Sequence, residues 1–66
     1  MSMKVNGKEL DAALPMTVED LILSTGRRQD RVAVEINGKI VPRGEYSRVL
    51  LKNDDSVEIV GFVGGG

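Results

Sequence analysis

Neither cysteine nor histidine occurs anywhere in the 66 residues. The first absence removes disulfides, thiolate nucleophiles and most zinc sites. The second removes the commonest general base and the commonest metal ligand. Aromatic residues are nearly missing, Tyr46 and Phe62 being the whole complement, and two rings make no platform for stacking nucleic-acid bases. Charge of either sign is not in excess. Nine Lys and Arg face ten Asp and Glu, for a net charge of −1, which leaves no footprint for DNA or RNA. No apolar run approaches the roughly 20 residues of a membrane span, and the N-terminus lacks a signal peptide's apolar core. No nucleic-acid or membrane partner is expected, and the expected location is the cytoplasm.

What remains is the composition of a folded domain, 41% hydrophobic and 29% charged. A chain this short builds one domain and a core worth about 3–5 kcal/mol net. An enclosed substrate pocket would be hard to add, so a catalyst acting alone is not expected. The sequence divides into a folded body, residues 1–63, and a tail, residues 64–66.

Two Asn-Gly pairs, Asn6-Gly7 and Asn37-Gly38, sit between strand-like runs. Both residues tolerate positive φ, so each pair predicts a type I′ hairpin. The first joins Met3-Lys4-Val5 to Lys8-Glu9-Leu10, the second Val32–Ile36 to Lys39-Ile40-Val41, with Pro42 ending that strand. Between them Thr17 and Asp20 form a capping pair at a helix start, Val18, Leu21 and Ile22 make one apolar stripe, and Gly26 suits a left-handed stop. Residues 43–48 read as a turn or short 3-10 piece anchored by Tyr46. Val49-Leu50-Leu51 reads as a brief strand, Asn53-Asp54-Asp55 as a turn, and Ser56–Val63 as the last strand. Val57 and Ile59 alternate with Glu58 and Val60, which predicts a central position with the inner face on the helix stripe. One helix on a mixed sheet of four to five strands is an α+β arrangement.

The final strand runs into Gly64-Gly65-Gly66. Three residues without Cβ make a thin thread, able to enter a tunnel too narrow for side chains and to present its α-carboxylate there. A frayed end is the plainer reading, though a fraying tail is usually polar and mixed. Val60, Phe62 and Val63 form an apolar group beside the thread, readable as a docking surface. Phe62 folded back as ordinary core is the equal alternative. Arg27, Arg28 and Arg31 read first as a solvated loop and second as a binding patch. Arg43, Asp54 and Asp55 read as turn chemistry, and Glu35 and Glu58 as outward strand residues.

The order of elements with the tail resembles the ubiquitin-like β-grasp family, and more narrowly the ThiS-type sulfur carriers of thiamin biosynthesis. The resemblance runs through Asn6-Gly7, Thr17-Val18-x-x-Leu21, Val34–Gly38, Ile40-Val41-Pro42-Arg43, Tyr46 where the family often has tryptophan, Leu51 with Asp55, and Val57–Val60 leading to Val63-Gly64-Gly65-Gly66. Many members end in two glycines and this chain in three, so the family's reactive position falls on Gly66. The resemblance implies a protein co-substrate without a bound cofactor. An E1-like (ThiF-type) enzyme adenylates the carboxylate with ATP, and a sulfur donor such as a cysteine desulfurase feeds the conversion to a thiocarboxylate. Thiazole synthase (ThiG-type) then takes the sulfur. Gly64, Gly65, Val60, Phe62 and Val63 are the implied partner contacts, and a monomer is expected when free. The small subunit of molybdopterin synthase and a ubiquitin-like modifier share the same tail logic and remain alternatives.

Overall fold

The computed structural model describes residues 1–61. The chain forms β1 (Ser2–Val5), β2 (Lys8–Asp11), β3 (Met16–Thr17), α1 (Val18–Ser24), a 3-10 turn at Gln29–Arg31 and β4 (Val32–Ile36). It continues through β5 (Lys39–Ile40), a 3-10 turn at Arg43–Glu45, β6 (Leu50–Leu51) and β7 (Ser56–Gly61). A five-stranded mixed sheet runs β2-β1-β7-β4-β5, and β3 pairs with β6 in a separate two-stranded ladder. The helix stripe of Val18, Leu21 and Ile22 is buried with Met3, Val32, Val34, Val57 and Ile59 from the sheet. The last strand thus lies in the middle, parallel to β1 and antiparallel to β4.

Both Asn-Gly pairs form the expected turns, with φ of 52° and 83° at Asn6 and Gly7, and 52° and 84° at Asn37 and Gly38. Left-handed backbone at two successive positions matches the twist of paired strands, which is why these residues close two-residue hairpins. The asparagines also do something the turn chemistry does not require. Asn6 accepts from the Ile59 amide at 2.7 Å and donates to the Ile59 carbonyl at 3.1 Å. Asn37 accepts from the Ser56 amide at 3.0 Å, while its own amide donates to the Ser56 carbonyl at 2.8 Å. A side-chain amide in each turn therefore extends the hydrogen-bond ladder, and β7 is gripped from both sides.

The helix begins as expected. Thr17 caps it, its hydroxyl accepting from the Asp20 amide at 3.0 Å and its own amide donating to the Asp20 carboxylate at 3.3 Å. Val18 and Glu19 donate to the carbonyls of Val49 and Tyr46, at 3.0 and 2.9 Å, which satisfies two amides that the first helical turn leaves open. At the other end Ser24 and Thr25 turn their hydroxyls back on the Leu21 and Ile22 carbonyls, both at 2.6 Å. That competition with the backbone suits a short helix, and Gly26 follows at φ 77°. Tyr46 is 2% exposed and donates from its hydroxyl to the Val32 carbonyl at 3.2 Å, so the expected anchor is also a polar tie between layers.

Two details differ from the sequence reading, and a third lies beyond the described residues. β3 was not expected, because two residues carry no visible alternation. The strands at Lys39 and Leu50 are one residue shorter than predicted, although the Val41 amide still reaches the Val34 carbonyl at 2.9 Å. The last strand is described to Gly61, and its predicted extension over 62 and 63 lies outside the described residues.

The two asparagine grips differ in burial, since the Asn6 bonds are part-buried and the Asn37 bonds exposed. Asn6→Gly keeps the turn geometry and removes its grip, so it should cost about 2 kcal/mol, whereas Asn37→Gly should cost under about 1 kcal/mol. Urea denaturation of both variants measures this, and equal losses would contradict the assignment.

Candidate functional site

Because β7 is the middle strand, its far end delivers the chain that follows at the centre of one sheet edge. Alternation along it is strict. Val57 and Ile59 are buried, while Ser56, Glu58 and Val60 are exposed. Val60 is 56% exposed and stands opposite Ala33 on β4. Among the sequence-predicted positions it is the one the structure describes, and it faces away from the helix. Phe62, Val63, Gly64, Gly65 and Gly66 lie outside the described residues.

Next to Val60 on the outer face, Glu58 lies directly opposite Glu35. Like charges so placed are mildly unfavourable, and solvent exposure of both screens the repulsion. Ile40, paired with Glu35, adds a second exposed apolar side chain at 75%. Sequence alone did not single out Ile40, since only the cross-strand register puts it beside Glu35.

The inner row of β7 ends in Gly61. A Cβ there would lie 2.6 Å from the Arg27 guanidinium, so the missing side chain is the room Arg27 occupies. Arg27, Arg28 and Arg31 surround this point together with Val32. The loop holding them is well tied. The Arg27 amide donates to the Thr25 hydroxyl at 3.2 Å, and Gln29 donates to Glu19 at 2.9 Å. Arg28 makes a two-pronged pair with Asp30 at 3.0 and 2.8 Å. The short loop expected from residues 27–31 is thus an ordered basic shoulder beside the end of β7.

Among the described residues no group of three or more acidic side chains could hold a metal ion, and no charged or polar side chain is buried. The depressions in the surface are open to solvent. Among the described residues the candidate site is therefore a strand end with an exposed face and a basic loop beside it.

Comparison with known proteins bears on the family and the fold. Residues 3–66 match the profile of the ThiS family. All 66 residues align with a thiazole synthase of Magnetococcus marinus at 41% identity, and with one of Paramagnetospirillum magneticum at 42%. The chain spans about one fifth of the length of these two relatives. The sulfur carrier protein ThiS of Bacillus subtilis is 37% identical over 65 residues, which is 97% of this chain and 98% of that one. The crystal structure of the thiamine biosynthesis protein ThiS from Geobacter metallireducens superposes with a TM-score of 0.82 at 35% identity, over the full length of both chains. With its mixed five-stranded sheet on one helix, the β-grasp arrangement expected from the sequence, the chain belongs to the ThiS family.

Proposed function

We propose that this chain is a sulfur carrier of thiamin biosynthesis, a protein co-substrate and not a catalyst. The observation that carries the reading is the nearly end-to-end alignment with the Bacillus subtilis sulfur carrier. Its pairing with a thiazole synthase is supported by the two thiazole synthases in which an equivalent stretch is one fifth of the protein.

The chemistry follows from what a carboxylate lacks. A free α-carboxyl titrates at about 3.3–3.7 and is ionised at neutral pH, with its charge shared over two oxygens and no leaving group. An E1-like enzyme supplies one. A carboxylate oxygen of Gly66 attacks the α-phosphorus of ATP, pyrophosphate departs, and an acyl adenylate results. The terminal sulfur of a persulfide, provided by a desulfurase-type donor, attacks the carbonyl carbon and expels AMP. A thiol then cleaves the S–S bond of the acyl disulfide, leaving the thiocarboxylate that thiazole synthase consumes.

The chain's own part is delivery. Gly64 and Gly65 offer no Cβ to the walls of a channel, and Gly66 presents a carbonyl flanked by hydrogens. Val60, with Phe62 and Val63 beyond it, supplies apolar surface for the enzymes that receive the tail. The lack of cysteine suits this role, because no thiol in the chain can intercept the activated acyl group.

Intact-mass analysis after incubation with ATP, the adenylating enzyme and a sulfur donor tests the proposal; the expected product has one C-terminal oxygen replaced by sulfur, and an unchanged mass would refute it. Gly65→Ala adds one methyl and restricts φ, so ATP–pyrophosphate exchange should fall by about a hundredfold with unchanged denaturation. Val60→Asp alters an exposed position and should shift stability by less than about 0.5 kcal/mol, yet weaken capture by the adenylating enzyme at least about fivefold. Titration of the variant against that enzyme, beside a melting curve, separates the two effects.

A further inference from the structure

Three arginines stand where β7 ends, and the carrier chemistry above uses none of them. The Arg28 charge is taken up by Asp30 at 2.8 Å. Among the described residues Arg27 and Arg31 have no acidic partner, and both are exposed. On the helix, Glu19 accepts from the Gln29 side-chain amide at 2.9 Å. Two unneutralised guanidinium groups thus sit together on a protein whose net charge is −1.

Their placement is built. Gly61 leaves the space that the Arg27 guanidinium fills. The loop is fixed at its start by the Thr25 hydroxyl and at its end by the 3-10 turn, where the Arg31 amide donates to the Arg28 carbonyl at 3.1 Å. The loop backbone that carries both side chains is therefore set before any partner arrives, which lowers the ordering cost of an interface. The plainer role, an arginine stem shielding the end of the core at Val32, accounts for Arg27 and leaves Arg31 unexplained.

From this geometry we infer that Arg27 and Arg31 form an electrostatic docking shoulder for an acidic protein surface at the mouth of the channel that receives the tail. An enzyme that engages the last residues must bring its rim near Gly61, since residues 62–66 span at most about 18 Å. Exposed guanidinium groups draw carboxylates on such a rim toward them by charge, with no fixed pairing geometry needed. Exposed rim charges act chiefly on the rate of encounter and its salt dependence. The shoulder thus steers the carrier so that its tail points into the channel.

This inference rests on the carrier reading for the identity of the partner, but not for its test. The probe is the adenylating enzyme of the same organism, titrated calorimetrically with the intact chain at low and at high salt, first without ATP and then with it. Arg27→Glu with Arg31→Glu should weaken binding about tenfold at low salt, with the difference shrinking at high salt. Arg27→Lys with Arg31→Lys keeps the charge and should recover most of the affinity, which guards against misfolding as the cause. Gly61→Ala, which displaces Arg27 alone, should give an intermediate loss. Equal affinity of the Glu variant and the parent at low salt would overturn the inference. So would a loss that salt does not alter, or one that appears only with ATP present, which would assign the arginines to nucleotide phosphate. A parent chain that binds but is never adenylated would sink the carrier reading and leave this one standing; failure to bind at all would end both.

Discussion

The whole sheet depends on how its middle strand is held. β7 receives backbone hydrogen bonds from β1 on one side and β4 on the other. Beyond each of those strands, the turn asparagine continues the ladder with its side chain. The Asn6 side chain reads the amide and carbonyl of Ile59; the Asn37 side chain accepts from the Ser56 amide, while its backbone N–H donates to the Ser56 carbonyl. The two hairpins are thereby joined through a strand that belongs to neither. Without it the chain would be two separate two-stranded units, each marginal alone in water.

Holding the strand this firmly has a functional side. The core face of β7 is locked on the helix stripe by Val57 and Ile59, while the same strand shows Glu58 and Val60 to solvent. On the carrier reading proposed above, an outer face held in this way is what a receiving enzyme would recognise. At the emergence point the inner row finishes in Gly61, so Arg27 lies where a side chain would otherwise close the layer. Apolar surface on the outer face and positive charge thus meet at the end of β7.

Much of this could be read from the residues in order. Both turns were legible because Asn-Gly demands an unusual backbone and little else does. The helix start was legible from Thr17 and Asp20, and the central place of β7 from its unbroken alternation. The β3–β6 ladder was not, since two residues show no period. Nor were the asparagine grips: nothing local links Asn6 to Ile59, 53 positions away. The same holds for Arg27 over Gly61, which needs the loop and the strand end brought together by the fold. Chemistry carried by local conformation was visible, and chemistry carried by long-range meeting was hidden.

The parallel pairing of β1 with β7 joins the first strand of the chain to the last. During synthesis the two hairpins and the helix leave the ribosome before the strand that unites them. They can flicker into local order, yet contacts so distant in sequence form late. A nascent chain that stops before Val57 therefore lacks the partner for β1, however well its earlier turns are made. The body becomes a single unit only once β7 is free to enter between β1 and β4.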